Sequence, residues 1–420
     1  MRFNYLKDWL DWQVSLHPRE IDLGLERVMK VAKNLDLLNP DFQIITVAGT
    51  NGKGSCVAIF QSILQAAGIK TGCYTSPHIH HYNERINIAG ENATDDDLMQ
   101  AFERIDQARG HISLSYFEFS TLAALDLFFR SEIDVAILEV GLGGRLDAVN
   151  ILDADIALVT HIAVDHVDWL GDDLDQIATE KAGIARPGKP LICADPVSPS
   201  GLEETANGIG AVIIKAERDY SYLIADTAWD WKMGKTVFNQ LPPPALSGAH
   251  QYQNAAAVLA VLQRMPVALR PDREAIETGL QGVKLPGRWE QFGTSPEIIF
   301  DVAHNPDSAR VLVELVQNNP VSGNTVLLLG VMHDKDITGM IKALLPVVDK
   351  WIVSSPEIER ALPVNALQEK IKEIMPEAIV EAYPDLTVAY QTEVRKLQKD
   401  DRLLVTGSFY TVAEVRALVL

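Results

Sequence analysis

The stretch Gln43-Ile44-Ile45-Thr46-Val47-Ala48-Gly49-Thr50-Asn51-Gly52-Lys53-Gly54-Ser55 sets the fold class. Its first half is a short apolar run without alternation, the pattern of a strand buried on both faces. After Ser55 the apolar residues Val57, Phe60 and Leu64 fall at helical spacing, and Gly68 suits the end of that helix. Glycines between a strand and a helix let backbone N–H groups close around phosphate oxygens, and the helix N-terminus adds positive partial charge. Lys53 is suited to the terminal phosphates and Ser55 to a phosphate or Mg²⁺. The general phosphate-loop pattern has Lys followed directly by Ser or Thr, whereas Gly54 intervenes here. A glycine-rich surface turn would contain the same residue types. The strand–loop–helix context and the lysine between glycines favour a nucleotide site.

Outward from this stretch, similar apolar runs recur at 134–141, 155–162, 190–195 and 211–215, then at 297–303, 325–330, 350–355 and 402–408. Helical spacing lies between them, so the expected class is α/β with parallel-rich sheets and ligands at the carboxyl ends of the strands. Leu285-Pro286-Gly287-Arg288 suits a hinge. The expected organisation is a P-loop ATPase-type domain over 1–285, a linker over 286–294 and a smaller Rossmann-like α/β domain over 295–420. Residues 216–247 read as irregular.

Bulk properties narrow the function. The 420 residues carry 57 acidic and 37 basic side chains, a net charge of −20 that disfavours phosphate backbones and hence nucleic acid. Hydrophobic residues at 47% and charged residues at 22% suit a soluble globular enzyme. Cys56, Cys73 and Cys193 share no CxxC spacing, so no disulfide framework or cysteine zinc site is expected. No apolar run is long enough for a membrane span, and the first residues carry no signal-peptide pattern. A cytoplasmic location is the expectation.

Titratable residues gather where strands should end. Glu139 closes one run beside Gly141, Gly143 and Gly144, where a carboxylate could hold Mg²⁺ or simply end a strand. Asp165 and His166 follow the next, as candidates for metal or phosphate. Lys181, on a short helix, reads from composition alone as a solvated face. His78, His80 and His81 invite a zinc reading, but neither HExxH nor CxxC accompanies them. Asp301–Pro306, Asp334–Asp336 and Thr406–Tyr410 form a comparable set in the second half.

GTNGKGS, SPHI with YNERI, EVGLGGRLDA, DHVD, EKAGI, PGRWE and DVAHNP occur in one order over roughly residues 20–410. Together they resemble the folylpolyglutamate synthase family of the Mur ligase superfamily. DLGLER (22–27) and SYFEF (115–119) resemble the pteroate-binding segments of its bifunctional dihydrofolate synthase/folylpolyglutamate synthase members. The resemblance implies an ATP-dependent ligase acting through an acyl phosphate, with L-glutamate added to 7,8-dihydropteroate and to the γ-carboxylate of tetrahydrofolates. It implies two Mg²⁺ ions, leaves room for K⁺, and suggests a monomer with small-molecule partners only.

The resemblance also implies site residues. Ser76, Glu139 and His166 match magnesium ligands. Gly52, Lys53, Gly54 and Ser55 match the phosphate cradle, and Asn254, Arg288 and Asp301 match ATP contacts. Lys181 matches a lysine that the family carbamylates, which replaces the solvated-face reading. Lys53, Lys181, His166 and Arg288 form the catalytic set. Asp22, Leu23, Gly24, Leu25, Ser115, Tyr116, Phe117, Glu118, Leu146, Asp147 and Ala148 match the pterin side, with His304 and Ser408 on the glutamate side. Ser55 and Val149 stand where threonine is common. Extension activity alone, another Mur-type ligase, a P-loop ATPase or kinase, and a non-catalytic nucleotide-binding module are the competing readings.

Overall fold

In the computed structural model, which describes residues 1–19 and 21–420, each of the nine apolar runs forms a strand. The chain divides into two compact units. The first comprises Met1–Val164, Leu170–Ala245 and Gln251–Val283, and the second Asp165–Trp169, Leu246–His250 and Lys284–Leu420.

The first unit is built on an eight-stranded sheet. Its order is Glu91–Asn92, Ile86–Ile88, Thr71–Tyr74, Val135–Glu139, Gln43–Ala48, Ile156–Val159, Pro190–Cys193 and Val212–Lys215. Pairing is parallel from Thr71–Tyr74 to the far edge, and antiparallel on the other side. The first strand in sequence therefore lies centrally, with its later neighbours on both flanks. That arrangement opens a crevice at the carboxyl ends of Gln43–Ala48, Val135–Glu139 and Ile156–Val159. Burial of Ile45, Val47, Leu138 and Leu158 explains why these runs are continuously apolar. The helix Lys53–Ala66 turns Val57, Phe60 and Leu64 inward, and Gly68 follows it at φ 72°.

Two expectations need correction. Residues 216–247 are not irregular: Tyr220–Ile224, Trp229–Met233 and Thr236–Leu241 form a three-stranded antiparallel sheet. Trp229 and Trp231 are buried on one face, and the Trp231 indole donates to the Ala256 carbonyl at 3.0 Å. Two tryptophans amid polar residues supply that core, so no apolar run marks it. The expected linker 286–294 contains Glu290–Thr294, an antiparallel edge strand beside Glu297–Phe300. Its residues are half-buried or exposed and Gly293 interrupts it, which hides the strand pattern.

The second unit holds a six-stranded sheet in the order Glu290–Thr294, Glu297–Phe300, Arg402–Thr406, Thr325–Leu329, Lys350–Val353 and Val380–Ala382. All neighbours after the first pair are parallel, so its ligand edge also lies at carboxyl ends. Among the described residues no helix is long and apolar enough to cross a membrane.

Candidate active site

The loop between Gln43–Ala48 and the helix Lys53–Ala66 is held by its neighbours. Thr50 N–H donates to the His161 carbonyl at 2.7 Å, and Ala163 N–H donates to the Thr50 hydroxyl at 3.0 Å. Thr160 donates its hydroxyl to Asn51 O at 2.8 Å. Gly52, at φ 94°, occupies a conformation that favours glycine, and a Cβ there would stand 2.7 Å from Asn254 Oδ1. Lys53 Nζ donates to Gly49 O and Thr50 O at 3.0 and 3.1 Å, curling its charge over the loop.

Gln251 joins this loop, a residue no motif had singled out. It is buried, its Nε2 lies 3.4 Å from Ser55 Oγ, and its Oε1 accepts from Asn254 Nδ2 at 3.0 Å. Gly52, Lys53, Gly54, Ser55 and Asn254 are thus brought together. Glu139, buried at the next strand end, accepts Ser76 N–H at 3.2 Å, and a Cβ on Gly54 would lie 3.9 Å from its carboxylate oxygens. Ser76 and Glu139 therefore flank the phosphate loop. His166 belongs to the second unit. It sits at φ 53°, a strained value for a non-glycine residue, with its N–H donated to Asp165 Oδ1 at 2.8 Å.

Asp147 organises the loop after Glu139. Its carboxylate accepts Gly141, Leu142 and Val149 N–H groups at 3.0, 2.8 and 3.0 Å. Burial pushes its carboxyl up to about 6, although the three N–H bonds and the nearby Lys53 charge pull it down. A folded value above the ordinary one means that protonation stabilises the fold below about pH 4, and that this contribution is lost as the pH rises through about 6. The unfolding free energy of the wild type minus that of Asp147→Asn is therefore expected to fall over that interval in urea titrations. A flat difference would remove Asp147 as the titrating group.

Gly144 lies against the next helix: a Cβ there would stand 2.7 Å from the Glu180 carbonyl and 3.1 Å from Lys181 Cα. Lys181 is buried at the end of that helix, Leu174–Ala182, and is no solvated face. Leu146 is half-buried beside Asp147, and Ala148 is buried in the single turn Ala148–Ile151.

An aromatic wall stands beyond Glu139. Phe117 packs so closely that a Cβ on Gly141 would lie 2.5 Å from its ring, and its centroid is 5.8 Å from that of Tyr74. Tyr116 faces Tyr82 at 5.8 Å, with the Arg85 guanidinium 5.5 Å from the Tyr116 centroid. Arg85 also donates Nε–H to His78 Nδ1 at 2.8 Å. Burial, then the Arg85 charge, brings His78 down to about 4 and keeps it neutral near pH 7. His78 is thus engaged by arginine, and among the described residues no group of three His, Cys, Asp or Glu side chains could hold a metal ion. Ser115 and Glu118 form a reciprocal cap on the helix Tyr116–Arg130: Ser115 Oγ accepts Glu118 N–H at 3.2 Å and Glu118 accepts Ser115 N–H at 2.7 Å.

In the second unit Arg288 stacks over Phe409 at 5.6 Å, and Asp301 accepts the Trp289 and Ala303 N–H groups, each at 2.9 Å. Burial raises the Asp301 carboxyl, opposed chiefly by the Arg288 charge. His304 lies 5.9 Å from Phe409 and donates Nδ1–H to Val302 O at 2.8 Å. Its Nε2 faces Asp165 at 3.5 Å, and Lys335 donates to Asp165 at 2.6 Å. Burial alone would raise Asp165. The His304 hydrogen bond, then the charges of His304, Lys335 and His166, outweigh it and hold the carboxyl far below the usual range. Ser408 accepts Thr411 N–H at 3.0 Å and caps the helix Phe409–Arg416, so its hydroxyl already serves the fold.

Residues 47–262 match the family model for the Mur ligase middle domain, and residues 287–409 match that for the Mur ligase glutamate ligase domain. The dihydrofolate synthase/folylpolyglutamate synthase of Escherichia coli is 41% identical over 99% of this chain and 95% of its own length. Its counterpart in Haemophilus influenzae is 38% identical over 99% and 97%. The chain belongs to the dihydrofolate synthase/folylpolyglutamate synthase family. Among solved structures of this Mur ligase family, E. coli FolC in complex with DHPP and ADP superposes with a TM-score of 0.94 at 40% identity, covering 99% of this chain and 98% of that one. The Yersinia pestis bifunctional enzyme complexed with AMPPNP and Mn gives 0.91 at 40% identity, covering 99% and 98%.

The strand–loop–helix around Gly49–Ser55 was visible in the sequence, as was the place of Glu139 at a strand end. Gln251 belongs to no motif, and Arg85, within YNERI, was given no role of its own. A buried amide inside a helix has no sequence signal beyond its polarity among Ala and Val neighbours, and Arg85 resembles any surface cation until its ring contacts are known.

Proposed function

We propose that this ATP-dependent ligase adds L-glutamate to 7,8-dihydropteroate, giving dihydrofolate, and to the γ-carboxylate of tetrahydrofolates, giving polyglutamates. The observation that carries this reading is a phosphate loop and a buried carboxylate at adjacent strand ends, with the Phe117 wall packed on Gly141 just beyond. A phosphate cradle beside an aromatic surface suits phosphorylation of a carboxylate attached to a flat ring system.

The chemistry balances in two steps. A carboxylate oxygen of the acceptor attacks the γ-phosphorus of ATP, and ADP leaves. The glutamate amine then attacks the acyl carbon, losing a proton as inorganic phosphate departs and the amide forms. Every participant is anionic, so cations must offset the repulsion. Lys53 and Arg288 are assigned that role. Gly52, Gly54, Ser55, Asn254 and Asp301 are assigned to ATP; Leu146, Asp147, Ala148, Tyr116 and Phe117 to the pterin side; and His304 to glutamate.

Ser76, Glu139 and His166 are assigned to Mg²⁺. A buried carboxylate beside a serine leaves room for water, as Mg²⁺ prefers, and Glu139 beside the loop fits that demand. The bound ion would neutralise phosphate charge. A second Mg²⁺, a K⁺ ion, a monomeric state and a cytoplasmic location belong to the same reading.

Lys181 is assigned as a carbamate, because an anionic group on a buried side chain could pair with cations bound beside Glu139. Equilibration with ¹³C-bicarbonate is expected to give a carbamate resonance that is absent in Lys181→Ala, with kcat in that variant reduced about 100-fold. A full-strength resonance in the variant would reject the assignment.

Phosphate release with ATP, Mg²⁺ and L-glutamate tests the function. Turnover with both 7,8-dihydropteroate and tetrahydrofolate is expected. Turnover with the folate alone would leave only the extension reaction, and none with either would overturn the reading.

A further inference from the structure

The segment Asp22–Leu25, assigned from sequence to the pterin side, is held by a polar clamp that joins Arg27 of the same DLGLER stretch to His17, to which no motif gives a role. Arg27 NH1 donates to Asp22 Oδ2 at 2.5 Å, and its NH2 donates to the Asp22 carbonyl at 2.9 Å. The same NH2 lies 3.1 Å from Glu118 Oε1 on the Tyr116–Arg130 helix. From the other side His17, whose side chain is 8% exposed, places Nε2 3.1 Å from Asp22 Oδ2 and Nδ1 3.0 Å from Ser113 Oγ. One guanidinium therefore ties the 22–25 loop to the cap of the helix bearing Tyr116 and Phe117. One imidazole ties it to the residues just before that cap.

The loop closed by this clamp contains Gly24, at φ 155°, where a Cβ would meet nothing within 4 Å. The backbone angle itself favours glycine there, and the space beside it is open. The Asp22 carboxylate, shared among His17, Arg27 and, at 3.5 Å, Arg19, is committed to the protein.

Resting on the function proposed above, we propose that His17 and Arg27 are positioning residues for the pteroate half of the acceptor, with Asp22 as their shared anchor and not a substrate ligand. They hold the backbone at Leu23–Leu25 at a fixed distance from Tyr116 and Phe117, so that a flat bicyclic ring meets a preformed slot. Neither residue touches the nucleotide loop. Their loss should therefore weaken acceptor binding while leaving ATP and glutamate handling intact.

The test is steady-state kinetics of the full chain with Arg27→Lys, which keeps the charge and removes the planar fork, and with His17→Gln, which puts an amide donor in place of the imidazole. Loss of one charge-assisted bond predicts a rise of about ten-fold or more in the KM for both 7,8-dihydropteroate and tetrahydrofolate in Arg27→Lys. The KM values for ATP and L-glutamate, kcat and the melting temperature are expected to stay near wild type, with His17→Gln showing a smaller shift in the same parameter. Acceptor KM values unmoved in both variants would overturn the proposal, as would a parallel rise in all three KM values with a lowered melting temperature. A wild-type enzyme that turns over neither acceptor would instead overturn the function on which the proposal rests.

Discussion

Replacing Lys53 with methionine is expected to lower kcat about 100- to 1000-fold at saturating ATP, the usual loss when one preorganised charge is removed from a phosphoryl-transfer site. Methionine keeps an unbranched chain while deleting the ammonium group, so the helix that begins at Lys53 retains its packing. Lys53 Nζ now bonds Gly49 O and Thr50 O, and its charge reaches the Asp147 carboxylate. The same cation thus faces both the Gly49–Ser55 loop and the loop after Glu139, the setting that the proposed phosphoryl transfer requires. Single-turnover phosphate release, with ADP affinity measured in parallel, separates chemistry from binding. A kcat within about three-fold of wild type would remove Lys53 from the chemical step.

Gly49→Ala is expected to destabilise the first unit by about 3 kcal/mol and to abolish measurable ATP binding, because it overpacks a site that has no room to relax. A Cβ on Gly49 would lie 1.8 Å from Thr160 Oγ1 and 3.0 Å from Thr160 Cβ, and the backbone there has φ 147°. Thr160 cannot turn away without breaking its bond to Asn51 O, which shapes the same loop. Thr160→Ala added to Gly49→Ala removes the hydroxyl clash but leaves the Cβ approach and the backbone strain. Partial recovery of stability without recovery of ATP binding is therefore expected, read from urea unfolding and nucleotide titration. Wild-type stability in Gly49→Ala would mean that the loop has more freedom than its packing implies.

The nature of the chemistry is carried by residues close together in the chain. Gly49–Ser55 joins a strand to a helix within a few residues, so its strand–loop–helix geometry, of the kind that suits a phosphate, follows from local backbone rules. Glu139 was legible for the same reason: in a parallel sheet the first residue beyond a buried apolar run must emerge at the ligand edge. The three-stranded sheet at Tyr220–Leu241 was not legible. Its core consists of two tryptophans whose burial depends on partners such as Ala256, far along the chain.

The sequence by itself determined the parallel α/β architecture, the glycine-rich strand–loop–helix and the run of motifs that mark the ligase family, because strand burial and loop geometry act over short chain distances. Only the tertiary structure decided which of the polar groups also hold the fold together. Ser115, Glu118 and Ser408 are helix caps, and Asp22 is the anchor of a clamp. Conversely, Lys181, Gln251 and Arg85 are buried against the elements that shape the site. A side chain's partners are set by which elements pack together, and hydrogen bonds act over about 3 Å in space however distant the residues are in sequence.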